Sequence, residues 1–196
     1  MRCSTPTTCC VMREISPMNI VLEFPVTDDI LTSFALVIGA DLPGYRNHIY
    51  RVLNFYIAIS GIAGLPSETV QIAAAFHDLG IWTDRTLDYL EPSVRLAEGY
   101  LADRQLSHLN SEVRALILEH HKVRPYGAAH ALSVEPFRRA DVIDVSLGAV
   151  TFGLPRDFIK TVKSTFPNRG FHGMLIRLTA RQLLRSPLRP LPMFRW

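Results

Sequence analysis

The sequence predicts an all-α protein, a single compact helical bundle with a C-terminal helical extension, and three observations predict it. Helix start and stop signals recur along the chain, the pattern of an extended run is confined to residues 20–24, and no repeat, low-complexity run or linker divides the 196 residues. A chain of this length can bury roughly 70% of the surface its unfolded form exposes, so folding needs no disulfide or metal staple. Any metal would therefore serve function.

Taken in order, residues 1–18 read as a flexible tail. MRCSTPTTCCVMREIS lacks the apolar core of a signal peptide, and all three cysteines, Cys3, Cys9 and Cys10, lie in it. Free thiols there and none later fit a reducing cytoplasm and leave no thiolate site in the body. The expected domain then runs over 19–186. Asp28 and Asp29 can cap a helix over 30–38, and a second helix carries His48 beside a stripe of Ile49, Val52, Leu53 and Tyr56. The longest uncharged run, 52–67, contains Asn54, two glycines and Pro66, well short of the ~20 apolar residues a membrane span needs. No membrane association is expected. Pro66 starts a helix that Gly80 stops, Pro92 with Ser93 starts another, and Asn110 or Ser111 caps a helix over 112–122. Pro136 opens a helix to about residue 147, and Pro155 with Asp157 opens the next.

The last helix sets Arg177, Arg181 and Arg185 on one face and Met174, Leu175, Leu178, Leu183 and Leu184 on the other. From residue 155 onward nine Lys and Arg face a single acid, Asp157, so the basic character is C-terminal. With no aromatic interleaved to stack on bases, the arginines read as a solvated face and nucleic acid is not an expected partner. A small-molecule substrate is, and a homo-oligomer is compatible with the sequence. Residues 187–196, Pro-rich, read as an extended tail on the surface.

Chemistry concentrates in VQIAAAFHDL, residues 70–79, apolar on nearly every side and so expected in the middle of the bundle. Val70, Ala73, Ala74 and His77 follow i, i+3, i+4, i+7, which turns His77 inward with Asp78 beside it. A buried carboxylate without a partner costs several kcal/mol or becomes neutral, so a cation, a hydrogen-bond network or a metal ion must compensate it. Val113, Leu116, Ile117 and His120 repeat the pattern, with His121 rotated about 100° away. Asp141 and Asp144 fall on the stripe of Phe137, Ala140 and Val145. His108 and His130 carry no such signal. Imidazole and carboxylate on four helices suit one or two divalent ions, of Mn, Fe, Ni, Zn or Mg.

His48, then His77-Asp78 twenty-nine residues on, then Asp141 sixty-three further, resembles the H…HD…D signature of the HD superfamily of metal-dependent phosphohydrolases. The contexts NHIYRV, AAAFHDLG and RRAD agree, and the resemblance spans residues 45–148, about half the chain. It implies a helical bundle of the HD-domain type with His48, His77, Asp78 and Asp141 as metal ligands and Asp144 as a supporting carboxylate. It also implies that His120, and after it His121, serves as a second-metal ligand or a catalytic acid. Phosphoester hydrolysis by a metal-activated water needs cations at the phosphate, for which Arg51, Lys122 and Arg124 are candidates. The sequence departs from relatives that read HDIGK, since Ile81 stands at the lysine, and from those with Glu-Asp after HD, since Ile81-Trp82 stand there. Alarmone hydrolysis is thus not expected, Asp84 is the candidate polar substitute ahead of Asp88, and Ile81 and Trp82 suggest an apolar wall. The expected function is hydrolysis of a small phosphoester. Alternatives are a diiron HD-type oxygenase, a hydratase or lyase on a small organic molecule, and a non-catalytic ligand-binding module. His172, ahead of the last helix, is expected to cap that helix or line the pocket mouth, with the structural role preferred.

Overall fold

The computed structural model describes residues 19–188 and 191–194; the expected N-terminal tail, 1–18 with its cysteines, lies outside the described residues. Ten α-helices and two single 3-10 turns make up the described residues, with no strand among them, so the fold is all-α. Residues 20–24 form no ladder. Instead Val21 donates its backbone N–H to Asn54 Oδ1 (2.8 Å) and its carbonyl accepts from Asn54 Nδ2 (3.0 Å), so one side-chain amide stands where a partner strand would.

Helix α1, Pro25–Ser33, starts three residues before the expected caps. Proline has its φ preset and lacks the N–H that a first turn leaves unpaired, so Pro25 suffices. Asp28 instead pairs with Arg46 Nε (2.8 Å) and accepts from Tyr50 Oη (2.6 Å). The expected single helix over 30–38 is broken at Phe34, whose φ of −104° and ψ of 7° separate α1 from α2, Ala35–Ile38. Helix α3, Leu42–Ser60, runs 19 residues and stops at Gly61, left-handed at φ 69°, whose N–H returns to Ile57 O.

Helix α4, Glu68–Phe76, is capped by Ser67, and every residue from 69 to 76 is buried, as an all-round apolar helix in a bundle should be. It ends four residues before Gly80, which begins α5, Gly80–Thr83, rather than stopping α4. A Cβ at Gly80 would lie 2.6 Å from Tyr89 O and 2.9 Å from Pro92 Cβ, so the glycine lets the HD turn press against the start of α6, Leu90–Asp103. Its N–H donates to Ser93 Oγ (2.9 Å), which fixes that contact. Helix α7, Asn110–Glu119, starts at Asn110 without a side-chain cap and stops at His120, short of the expected 122. Helix α8, Ala131–Val145, begins five residues ahead of Pro136, which sits inside it. Proline there removes one backbone hydrogen bond, to the carbonyl of exposed Leu132, without ending the helix.

Helices α9, Arg156–Thr165, and α10, Phe171–Arg185, complete the bundle. Helix α3 lies along α8, and α4 is enclosed by α1, α3, α6 and α7. Buried side chains from Phe24 to Met193 form one contiguous core. Met193 is 6% exposed, so the described part of the Pro-rich C-terminal stretch enters the core rather than lying wholly on the surface. No helix is long and apolar enough to cross a membrane among the described residues.

Candidate metal centre

Four helices deliver the expected ligand groups to one buried place: α3 brings His48, the end of α4 brings His77 and Asp78, the end of α7 brings His120 and His121, and α8 brings Asp141 and Asp144. His77 and His120 both stand where a helix stops, and that position sets their chemistry. The Nδ1 of each contacts the carbonyl three residues back, Ala74 and Ile117, at 2.7 Å. A carbonyl only accepts, so Nδ1 carries a proton in both; His77 presents a lone pair at Nε2, whereas at His120 burial lowers the pKa but Asp78, 3.5 Å from Nε2, outweighs it and raises it.

His48 is oriented by another route. Its Nδ1 is 2.7 Å from Asp144 Oδ2, and Asp144 also takes a bidentate pair from Arg51. Burial pushes the Asp144 carboxyl upward, but the hydrogen bonds from Arg51 and His48 outweigh it and hold it well below the usual carboxylate range. An ionised Asp144 accepts, so His48 donates from Nδ1 and turns Nε2 toward His77. The Nε2 atoms of His48 and His77 are 3.0 Å apart. With both rings neutral, their Nε2 lone pairs at that distance repel unless a cation lies between them. Burial lowers the pKa of His77 to about 3, so His77 keeps its lone pair at neutral pH.

Further donors surround this pair. His48 Nε2 lies 3.7 Å from Asp78 Oδ2 and 3.5 Å from Asp141 Oδ1, and His77 Nε2 lies 3.4 Å and 4.0 Å from the same atoms. Ligands at about 2.1 Å from a divalent ion stand roughly 3.0–3.5 Å from one another, so the cluster has the right scale. Asp78 Oδ1, His120 Nε2 and both Asp141 oxygens are buried without a hydrogen-bond partner. Such orphaned polar atoms are rare in folded proteins, and burial, with the charges of Asp78 and Asp144, outweighs His120 and His48 and pushes Asp141 up to about 6. The donor set therefore fits a divalent cation. Two groups could hold one, His48 with His77 and Asp78, and Asp78 with His120 and His121, each with its ligand atoms within 4.8 Å of one another and Asp78 common to both.

His121 is held differently from the rest. Its Nε2 is 2.6 Å from the hydroxyl of buried Tyr89, and its Nδ1 is 3.5 Å from Asp141 Oδ2. Burial keeps the Tyr89 hydroxyl protonated, far above its ordinary pKa, so it can donate to or accept from the imidazole. Aromatic rings close the shell: Phe171 stacks on His48 (4.3 Å), Phe137 meets His77 edge-on (5.7 Å), and Phe194 lies over His121 (5.3 Å).

Other expected site residues are placed elsewhere. Arg51 is 2% exposed, with its guanidinium bonded to Asp144 and to Phe166 O (2.8 Å), so it buttresses a carboxylate instead of meeting a phosphate. Lys122 pairs with Glu119 (3.1 Å), and Arg124 is exposed on the loop after α7. Asp84 bonds Thr83 and Arg95 at the surface, and Asp88 is exposed, so neither supplies the missing polar group. His108 is exposed, and His130, left-handed at φ 62°, meets Ser111. His172 donates Nε2–H to the Asp144 carbonyl (2.9 Å), a structural role at the flank of the centre. Tyr89, Phe171 and Phe194 escaped the sequence reading. Tyr89 lies outside any periodic apolar stripe, and an aromatic at a helix start or in a tail reads as ordinary packing.

Compared with known proteins, the chain matches the HD domain family model over residues 45–146. No curated protein and no solved structure matches it.

Proposed function

The chain belongs to the HD domain family, largely metal-dependent phosphohydrolases, and from that premise we propose that it hydrolyses a small phosphoester at the His/Asp centre. His48, His77, Asp78 and Asp141 would hold a divalent ion. The observation that carries this reading is the set of buried polar atoms without a hydrogen-bond partner on Asp78, His120 and Asp141, beside two imidazole Nε2 atoms 3.0 Å apart. A bound ion supplies a Lewis acid for the phosphoryl oxygen and a water of lowered pKa. Asp144 fixes the His48 tautomer, and Arg51 keeps Asp144 charged. His120 and His121 are the candidate ligands for a second ion with Asp78, Tyr89 orienting His121; without that ion His120, whose pKa Asp78 raises against burial, is the candidate acid for the leaving group. Phe171 and Phe137 exclude water from the imidazole faces. With Arg51 engaged in the core, the phosphate contact would fall to Lys122, which would have to leave Glu119, or to Arg124.

Metal analysis after anaerobic purification without added metal, followed by turnover of p-nitrophenyl phosphate and its diester, tests this. Expected are one or two divalent ions per chain, phosphate release, and loss of both in His77→Ala. Absence of stoichiometric metal overturns it. A second reading, a diiron oxygenase, is favoured by the second group of Asp78, His120 and His121; two irons per chain with oxygen uptake and no phosphate release would select it.

A further inference from the structure

A cleft of about 860 Å³ opens between α2, α5 and α10, apart from the buried centre. Its charged lining is one-sided. Arg177, Arg181 and Arg185 follow one another at i, i+4, i+8 along α10, and Arg85 joins them from the loop after α5. All four are exposed, and none forms an ion pair among the described residues, whereas Arg46, Arg95, Arg104 and Arg114 each have an acid beside them. The acid in the lining, Asp41, accepts from Trp82 Nε1 (3.1 Å) instead. Beside the arginines lies apolar surface: Leu36 at 99% exposure, Val37 at 50%, Leu178 and the indole of Trp82.

The expected solvated face is thus one wall of a concavity of the size that takes small ligands. Four guanidinium groups within one cleft repel each other, and an anion relieves that repulsion while accepting bidentate hydrogen bonds. The N-terminal residues 1–18 do not suit it, because Arg2 and Arg13 outnumber Glu14. We propose that this cleft binds a small anionic amphiphile, a phosphate-type headgroup held by Arg85, Arg177, Arg181 and Arg185 with its apolar part on Leu36, Val37 and Trp82. Trp82 packs on Tyr45 (4.6 Å), whose ring neighbours both His48 and His77, so the cleft shares a wall with the buried centre without being part of it.

Trp82 reports the test. In a Trp196→Phe background, the emission of Trp82 is titrated with octylphosphonate below its micellar concentration, with inorganic phosphate, with octanol, and with phosphatidylglycerol vesicles. Octylphosphonate is expected to saturate the signal at least about tenfold more tightly than phosphate or octanol. An Arg177→Ala/Arg181→Ala variant, changed only at exposed positions, is expected to lose about tenfold in affinity with its melting temperature and metal content unchanged. Equal affinity for inorganic phosphate overturns the proposal in favour of a bare anion site, and signal from vesicles alone overturns it in favour of a membrane surface. Undiminished binding by the double variant overturns it outright. Octylphosphonate is not hydrolysable and the readout needs no turnover, so failure here leaves the phosphohydrolase reading standing, and the reverse.

Discussion

On one side of Asp78, His48 and His77 are fully buried and held by a charged pair and a helix-end carbonyl, while on the other His121 is partly exposed and held by a tyrosine hydroxyl. The first side rests on α3, which lies along α8, and on the end of α4; the second ends α7 and runs into the exposed loop that carries Arg124. That loop is tied back to α8 by Glu135, which accepts from Tyr126 N–H (2.9 Å), and by Arg138, which donates to Lys122 O (3.1 Å). The contrast teaches where retention and exchange should reside: an ion on the first side has rigid ligands, and an ion or substrate on the second meets ligands that can adjust.

The strongest way to break this contrast is Asp144→Ala. It leaves Arg51 buried and unpaired and frees His48, and a loss of about 3–5 kcal/mol in urea unfolding is expected; a loss under about 1 kcal/mol would remove Asp144 from the argument. Chelation comes next. Stripping the proposed ion leaves close imidazole nitrogens and buried carboxylates uncompensated, so unfolding free energy should fall by about 2.7 kcal/mol if the ion had been present at a hundred times its Kd. An unchanged melting temperature in EDTA would count against the fit.

Tyr89→Phe sharpens the contrast from the other side. It removes the hydroxyl that meets His121, and metal titration should show about 10–100-fold weaker affinity for the ion held by Asp78, His120 and His121, with a smaller change for the first ion through the shared Asp78. Equal weakening of both would mean the two sides are one unit. Glu135→Gln gives the smallest effect. Burial raises the Glu135 carboxyl, but hydrogen bonds from Arg138, Tyr126 and Arg139 prevail and hold it at about 2, below its ordinary 4.5. The stabilisation it contributes is therefore present above that ordinary value and lost as the pH falls toward 2. Stability of the parent should drop more steeply than that of the variant across that window, by about 1 kcal/mol or less for a pair near the surface.

How much of this could be read beforehand depended on distance along the chain. The buried stripes of α4 and α7, with His77 and His120 on them, were legible because helical period alone decides which way they face. Asp141 was legible because it sits on such a stripe. Arg51 was not, since its position three residues after His48 is equally consistent with an open site and with a carboxylate 93 residues away. Pro136 misled because proline is commonest in a first turn, yet five residues of α8 precede it. The arginines of α10 showed their period in sequence, but the opposing wall of Leu36 and Trp82 could only come from tertiary packing.

The linkage around Asp144 bears on the order in which the chain becomes complete. Residue 141 brings the last of the four expected ligands, and Asp144 follows three residues later, but Arg51 closes onto Phe166 and the Asp144 carbonyl onto His172. Contacts across 115 residues form after local helices, because the intervening loop must be closed first. His77 and His120 are held by carbonyls three residues back, so their rings can be set locally, whereas the His48 ring depends on Asp144 and Arg51. The docking of Phe166 and His172 would therefore fix His48 last, and a bound ion would exchange most easily before that step.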